Sequence, residues 1–169
     1  MRYIKDNGTR ISVRGDGPVT ERTLVLAKPD AVARGLTGEI ISRLEARGVR
    51  LAGLKMIWID EDLAKRHYSA HVGKPFFEGL LKYITSLPVV AMVWEGPSAV
   101  SVVRSTMGAT NPAQAQPGTI RGDFGMDISN NLVHGSDSVE SAGREIELFF
   151  KEEEIYSWKR PHEKYITGE

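Results

Sequence analysis

The order of the apolar segments constrains the fold of this chain more than any other feature of its sequence. Four short apolar runs suited to strands alternate with segments in which apolar residues recur at helical spacing. The order is strand, helix, strand, helical pair, strand, helix, strand, helix. The predicted strands cover residues 23–28, 49–59, 88–94 and 131–134. This order is compatible with a split βαβ, ferredoxin-like sandwich, and the pattern alone does not exclude a doubly wound sheet.

Two interruptions divide this pattern. The helical pair at residues 61–86 is broken at residues 73–75, where a Gly-Lys-Pro sequence ends helical periodicity. Residues 108–130 form a long connection rich in Gly, Pro, Asn and Gln. Connections of that length inside a domain are usually functional or disordered. We therefore examine this connection first for candidate functional residues.

The chain is long enough for one domain with a sizeable core, since it has 169 residues. Residues 1–21 differ from the rest, because they carry several glycines and a proline among scattered charges, with little periodicity. These features predict a flexible N-terminal extension at residues 1–21 and a folded domain at residues 22–169.

Charge and composition exclude several classes of function. Lys plus Arg and Asp plus Glu both number 22, so no overall field attracts nucleic acid or an acidic membrane, and we expect no strong nucleic-acid binding. The longest apolar run, residues 88–94, is too short to span a bilayer. The N-terminus has no apolar signal segment and the chain has no cysteine, which predicts a cytoplasmic protein without membrane contact. Any anion site must be built from local charges.

A histidine near the end of the long connection is the first candidate for chemistry. The chain has no P-loop and no dinucleotide fingerprint. His134 ends a predicted strand and precedes Gly-Ser-Asp-Ser, which places an unshielded imidazole at a turn. Neutral imidazole accepts phosphoryl groups, and Arg104 and Arg121 could neutralise the transferring group. A histidine in this setting is more often an ordinary surface or core residue, so the spacing indicates an anion site and no more.

Several sequence blocks then carry a resemblance to a known family. The blocks are Asn-Leu-Val-His-Gly-Ser-Asp-Ser at 131–138, Thr-Leu-Val-Leu-Ala-Lys-Pro-Asp at 23–30, Lys-Pro-Phe-Phe at 74–77, Pro-Val-Val-Ala-Met-Val-Trp-Glu-Gly at 88–96 and Thr-Ile-Arg-Gly-Asp-Phe at 119–124. Taken in their order along the chain, from about residue 22 to the C-terminus, these blocks resemble the nucleoside diphosphate kinases. The resemblance implies an α+β, ferredoxin-like sandwich with a four-stranded antiparallel sheet and covering helices.

The resemblance also implies a ping-pong reaction with an assigned catalytic set. His134 would take the γ-phosphate of a nucleoside triphosphate, typically ATP, and pass it to a nucleoside diphosphate. Glu145 matches the glutamate that hydrogen-bonds this ring and so determines which nitrogen attacks. Lys28 matches a group at the reacting end, and Tyr68 matches a tyrosine near the phosphates. Without the family, Glu145 would be an exposed helix charge and Lys28 only the end of a strand.

The nucleotide contacts are implied in the same way. Phosphate contacts fall on Arg104, Thr110 and Arg121, ribose contacts on Lys28 and Asn131, and the base slot on Phe76, Leu80 and Ile128. Stacking does not discriminate between bases, because every base has a π-face, so we expect broad acceptance of purines and pyrimidines. His67, His71 and His162 match none of these roles and are interpreted as ordinary core or surface residues.

Cofactor and assembly follow from the resemblance as well. Mg²⁺ is expected on the nucleotide phosphates rather than on protein ligands, consistent with its reluctance to lose water. The residues around 110–112 and the tail beyond 158 resemble the hexameric type of the family, so we expect a homohexamer rather than a tetramer. The alternative to an enzyme is a nucleotide-binding regulator that keeps the fold without turnover.

Overall fold

The computed structural model of the protein describes residues 2–6, 9–13 and 20–167. Its strands are β1 (Arg2–Asp6), β2 (Thr9–Val13), β3 (Thr20–Ala27), β4 (Arg50–Ile57), β5 (Val89–Pro97) and β6 (Val133–Gly135). Its helices are α1 (Pro29–Ala33), α2 (Thr37–Ala46), α3 (Glu61–His67), α4 (Phe77–Ile84), α5 (Ala99–Met107), α6 (Ile120–Phe124), α7 (Val139–Phe149) and α8 (Lys164–Thr167). No helix in these ranges is long and apolar enough to cross a membrane.

The main sheet has four antiparallel strands in the order β4-β5-β3-β6. The strand β3 is central: it pairs with β5 along its whole length and with β6 over three residues. Leu26 of β3 lies opposite His134 of β6, which fixes the candidate histidine at an edge of the sheet. The predicted ferredoxin-like sandwich is therefore confirmed.

Helices cover both faces of this sheet, which explains the continuous apolar runs in the sequence. Leu24 and Leu26 face a cluster formed with α3, α4 and α7, whereas Val25 and Ala27 face a cluster formed with α1, α2, α5 and α6. All four side chains are fully buried. A strand buried on both faces needs apolar residues at every position, so it shows no alternation with polar residues.

The structure starts earlier than the predicted folded domain. Within the predicted extension, β1 and β2 pair antiparallel as a separate two-stranded sheet. The strand β3 begins at Thr20, because Thr20 and Glu21 continue the pairing with β5 although they are polar. Arg22 extends this contact by donating a hydrogen bond of 2.7 Å to Glu95. Flexibility of the remaining extension stays a prediction.

The long connection contains a short helix that the sequence pattern did not indicate. Helix α6 starts after Thr119, whose hydroxyl accepts a hydrogen bond from the Gly122 amide at 3.1 Å. Gly122 also lies against the backbone of Gln116, and a Cβ atom built there would be only 2.0 Å from the Gln116 oxygen. Residue 122 must therefore be glycine for α6 to pack against the preceding turn.

Replacement of Gly122 tests this packing. We expect Gly122→Ala to lower the melting temperature, because overpacking of this kind costs about 1–3 kcal/mol. Gly79→Ala is the matched control, since Gly79 lies within helix α4 and a Cβ there meets nothing within 4 Å. Alanine favours a helix interior by roughly 0.5–1 kcal/mol over glycine, so this control should be as stable as the parent or more stable. Equal melting temperatures for the two variants, at one protein concentration, would contradict the proposed constraint.

Candidate active site

A cavity of about 1300 Å³ opens between helices α3, α4 and α7 and the residues around β6. It is lined by every candidate residue from the sequence: Lys28, Tyr68, Phe76, Leu80, Arg104, Thr110, Arg121, Ile128, Asn131, His134 and Glu145. These residues come from seven separate stretches of the chain, and the fold brings them to one surface.

The ring of His134 is held from one side by a carboxylate. Its Nε2 atom lies 2.9 Å from Oε2 of Glu145 on α7, and the same oxygen accepts a hydrogen bond of 2.6 Å from the Ser136 hydroxyl. Ser136 is fully buried, and its hydroxyl also accepts a hydrogen bond from the Leu24 amide of β3. With Nε2 directed at Glu145, the Nδ1 lone pair is the one left for chemistry.

The environment of Glu145 favours the ionised form of its carboxyl group. Burial alone would raise the pKa of its carboxyl group, but the hydrogen bonds and charge of His134 and the Ser136 hydroxyl act in the opposite direction. The net result is a pKa below the usual range of a glutamate. An ionised Glu145 can accept the Nε2 proton of His134 and stabilise a positive ring.

Arg121 is buried, and its three guanidinium nitrogens donate hydrogen bonds to backbone carbonyls. It donates to the oxygens of Gly108 and Val133 at 2.8 Å each and to that of Asn131 at 3.2 Å. Arg121 thus links Gly108, at the start of the long connection, to Asn131 and Val133 on either side of the turn that leads into β6. Burial, followed by the charge of Arg104, lowers the pKa of its guanidinium to about 10, so it remains a cation at neutral pH.

Lys28 contributes a second buried cation. It follows β3 directly, and its ammonium lies 5.3 Å from the centre of the Tyr83 ring. Burial lowers its pKa to about 8, an effect that Asp30 partly offsets and Arg121 adds to. Arg104 adds a third cation at the exposed side, where it donates a hydrogen bond of 3.3 Å to the oxygen of Gly135. The cavity is therefore positive although the chain has no net charge.

Asp30 is a residue of this region whose role the sequence did not indicate. Its carboxylate accepts hydrogen bonds from the Tyr83 hydroxyl and, at 3.0 Å, from the amide of Leu132. Leu132 has a φ angle of 69°, a left-handed conformation that costs a non-glycine residue of order 1 kcal/mol. The Lys28 amide completes the contact by donating to the Leu132 oxygen at 2.8 Å. Asp30 therefore helps to hold the turn that precedes His134.

Asn131 and Thr110 connect the long connection to this turn. The Asn131 side-chain amide donates a hydrogen bond of 2.9 Å to the Thr110 oxygen. Its own oxygen, Oδ1, is buried and has no hydrogen-bond partner among the described residues. Because a buried carbonyl oxygen without a donor costs free energy, a ligand hydroxyl at this position would satisfy it.

The opposite end of the cavity is apolar and open. Phe76 and Ile128 each have 54% of their surface exposed and line this end of the cavity, where a ligand could cover them. Leu80 lies one helical turn after Phe76, and the Lys74 ammonium lies 5.8 Å from the centre of the Phe76 ring. Phe77 packs into the core instead, so the two neighbouring phenylalanines have different environments.

The ring of His67 packs against the His134 ring, and Tyr68 packs against His67. Burial, with a smaller contribution from the charge of Glu145, raises the pKa of the Tyr68 hydroxyl above its usual range. The His67 ring centre lies 4.6 Å from that of His134 in an edge-on arrangement. Both ring nitrogens of His67 are buried without a hydrogen-bond partner in the described part of the chain. Sequence reasoning had treated His67 as an ordinary residue.

The side chains of this site do not suit a protein-bound Mg²⁺. Among the described residues, only His67, His134 and Glu145 bring three potential ligand atoms close together. Mg²⁺ prefers an octahedral set of oxygens and keeps several waters. Two imidazoles and one carboxylate do not provide such a set, so phosphate oxygens of a nucleotide would have to supply most ligands of a Mg²⁺ ion here.

Comparison with known proteins defines the class of enzyme. A nucleoside diphosphate kinase of Halobacterium salinarum, solved in complex with CDP, is 53% identical, with a TM-score of 0.84, over 86% of this chain and 97% of its own. A family member from Babesia bovis has the same TM-score at 43% identity, over 86% of this chain and 99% of its own. The nucleoside diphosphate kinase of Carboxydothermus hydrogenoformans is 60% identical over 86% of this chain and 98% of its own length. The protein is thus an enzyme of the phosphotransferase class.

The family can be stated as well. The family model described as nucleoside diphosphate kinase matches residues 21–155, and the chain belongs to the nucleoside diphosphate kinase family. It transfers the terminal phosphoryl group of a nucleoside triphosphate to a nucleoside diphosphate. The comparisons favour this activity over a nucleotide-binding regulator without turnover.

The buried Lys28 predicts a pH dependence. Because its pKa is about 8 rather than 10.5, the free enzyme should lose this positive charge as pH rises through about 8. The profile of kcat/KM reports ionisations of the free enzyme, so it should fall above that pH. Arginine stays protonated over this range, and Lys28→Arg should remove the alkaline fall whatever its absolute rate. Lys74→Arg, at the rim of the cavity, should keep it. A fall that survives in Lys28→Arg would assign it to another group.

Proposed function

We propose that the transfer proceeds through a phosphorylated Nδ1 atom of His134. The observation that supports this most directly is the contact between Nε2 and Glu145, which leaves Nδ1 without a hydrogen-bond partner among the described residues, on a ring that lines the cavity. In the first half-reaction the Nδ1 lone pair forms a bond to the γ-phosphorus of the donor. The bond from that phosphorus to the bridging oxygen breaks, and its electrons leave with the nucleoside diphosphate. The second half-reaction is the reverse with a different diphosphate.

The charges of the cavity suit such a transfer. Phosphoryl transfer depends mainly on positioning and on neutralising the oxygens of the group in flight. We assign this task to Lys28, Arg104 and Arg121, with Thr110 and Tyr68 as further contacts to the phosphates. Glu145 accepts a hydrogen bond from the Nε2–H group and, as a carboxylate, stabilises the positive ring that forms when Nδ1 carries phosphorus. Catalysis here is electrostatic and needs no general base for the attacking atom.

The remaining contacts divide the nucleotide between the two ends of the cavity. The unpaired Oδ1 of Asn131 offers an acceptor for a ribose hydroxyl, and Lys28 lies close enough to share this end. The base stacks on Phe76 and lies between Leu80 and Ile128. These three side chains carry no polar group that could select a base edge, so broad specificity follows. The Halobacterium salinarum relative binds CDP, a pyrimidine nucleotide, which supports a slot that is not restricted to purines.

We propose Mg²⁺ as the cation that accompanies the nucleotide, held by its phosphates. When bound, it would neutralise part of the phosphate charge and orient the γ-phosphoryl group. The surrounding residues Lys28, Arg104 and Arg121 carry the rest of this task. We also place the enzyme in the cytoplasm, since the absence of cysteine suits a reducing compartment. Fractionation of native cells would test that placement.

The proposed relay is tested by transfer of a labelled phosphate. Protein incubated with γ-labelled ATP and Mg²⁺, without acceptor, should gain an acid-labile, alkali-stable label. A chase with unlabelled GDP should move that label into GTP. His134→Ala should gain no label, whereas His162→Ala, which removes an exposed histidine outside the cavity, should be labelled like the parent. Label on folded His134→Ala, or absence of label on parent protein that binds ATP, would overturn the relay.

We further propose that the protein assembles as a homohexamer built from dimers. The strand β4 is an edge of the main sheet, and Leu54, Met56 and Trp58 along it are between 48% and 63% exposed. An apolar edge of this kind is a template for pairing with another chain. The tail contacts β4 at Ala52, whose oxygen accepts a hydrogen bond of 2.8 Å from the Tyr156 amide, and at Lys55, whose ammonium lies 2.6 Å from Glu154. A second copy is the occupant that we assign to the rest of this edge.

Sedimentation tests the assembly. The parent protein should sediment as a hexamer at micromolar concentration. Met56→Glu should shift it to smaller species, because the exposed methionine would become a charge that an apolar contact must desolvate. Lys65→Glu, an exposed change on helix α3, serves as the matched charge control and should leave the hexamer intact. A stable monomer or dimer for the parent protein would contradict the proposal.

A further inference from the structure

His67 is a buried polar residue that the phosphoryl relay does not use. Its two ring nitrogens have no hydrogen-bond partner among the described residues, although most buried polar atoms in proteins have one. Tyr68 and Phe149 pack against its ring, with centre distances of 4.5 Å and 5.1 Å. A third ring, that of His134, lies edge-on at 4.6 Å. Both histidines line the cavity, so a partner that enters the cavity can reach the His67 nitrogens beside His134.

The neighbours on that side form a set of metal ligands. One nitrogen of His67, one nitrogen of His134 and a carboxylate oxygen of Glu145 all lie within 4.8 Å of one another. In a tetrahedral zinc site, ligand atoms about 2.0–2.1 Å from the ion lie about 3.3 Å from each other. Glu145 and His134 are already closer than that, at 2.9 Å. Only the distances to His67 have to shorten.

The side chains of His134 and Glu145 have more room to rotate than that of His67, so they can move toward it. The His67 ring is confined by Tyr68 and Phe149, whereas the side chains of His134 and Glu145 are 23% and 18% exposed at the cavity wall. An ion can enter through the cavity, and rotation of these two partly exposed side chains, which exchanges their mutual hydrogen bond for bonds to the ion, can close the distances. The fourth position would face the cavity and hold water, as in open zinc sites with three protein ligands.

The surroundings of these ligands resemble those that strengthen metal binding. The Ser136 hydroxyl already orients the Glu145 carboxylate, and such outer contacts raise metal affinity. Neither ring nitrogen of His67 has a hydrogen-bond partner among the described residues, so no such contact competes with a metal ion for its lone pair.

We propose that His67, His134 and Glu145 form a binding site for a transition-metal ion of the zinc type, and that its occupation blocks phosphorylation of His134. Imidazole ligands select Zn²⁺, Co²⁺ or Ni²⁺ over Mg²⁺, so this site is distinct from the Mg²⁺ carried by the nucleotide. Binding rests on the geometry of the three side chains alone. Its inhibitory effect rests on the proposed relay through His134.

The inhibitory effect follows from either mode of binding to the His134 ring. An ion on Nδ1 occupies the attacking lone pair directly. An ion on Nε2 displaces the Nε2 proton and turns Nδ1 into the protonated nitrogen of the neutral ring. In both cases Nδ1 has no free lone pair for the γ-phosphorus. The ion also takes Glu145 away from the task of stabilising a positive ring.

Direct binding to nucleotide-free protein tests the site. Titration of the full chain with Zn²⁺ by calorimetry, and with Co²⁺ by visible absorption, should give one ion per chain and the intense bands of tetrahedral Co²⁺. His67→Leu and Glu145→Gln should each weaken binding by about tenfold or more. Glu145→Gln keeps the side-chain shape, so it gives an answer even where His67→Leu does not fold. His71→Ala and His162→Ala are the controls and should bind like the parent.

Labelling by γ-labelled ATP tests the consequence. Protein loaded with one equivalent of Zn²⁺ should lose the phosphohistidine label, and a zinc-selective chelator should restore it in the continued presence of Mg²⁺. Unchanged Zn²⁺ affinity in Glu145→Gln or in folded His67→Leu, or loss of binding in either control, would overturn the site. Binding at these residues without loss of label would overturn the inhibition. Because binding is measured without nucleotide, failure of the relay itself would leave the binding result intact.

Discussion

The three-residue pairing of β6 with β3 is the contact that places His134, and it is too short to do so alone. The turn before β6 contains Leu132 in a left-handed conformation, which is unfavourable for a branched side chain. Two charged side chains hold this turn from opposite sides. Asp30 binds the Leu132 amide, and Arg121 binds the carbonyls on both sides of Leu132. The position of His134 thus depends more on these hydrogen bonds at the turn than on the pairing between β6 and β3.

The residues that hold this turn also make the cavity positively charged. Removing a cation from water costs free energy unless other groups replace the solvent. Burial lowers the pKa of both cations: to about 10 for Arg121, although carbonyl oxygens accept its hydrogen bonds, and to about 8 for Lys28, which Asp30 compensates only in part. The cavity therefore contains positive charge that lacks a full counter-charge. In the proposed mechanism the phosphates of a nucleotide supply it, although the chain as a whole has equal numbers of basic and acidic residues.

A strand or helix could be predicted from the sequence when the residues of that element alone carry its pattern. The runs in β3 and β5 were recognised because strands covered on both faces are apolar at every position. The strands β1 and β2 and the helix α6 were not recognised. Helix α6 has only five residues, with Gly122 among them, so it shows no helical periodicity. Its formation depends on the close approach of Gly122 to the turn at Gln116, a contact that no local pattern contains.

The sequence by itself determined the family, the sheet of four strands and the candidate residues of the cavity, because apolar spacing and motif blocks are local properties of the chain. Only the tertiary structure decided what surrounds each residue. It turned Nε2 of His134 toward Glu145, and it gave Asp30 a structural task. It also left the nitrogens of His67 unpaired beside the reacting ring. Such facts depend on distances between residues far apart in sequence, and these distances exist only after the two core clusters have packed.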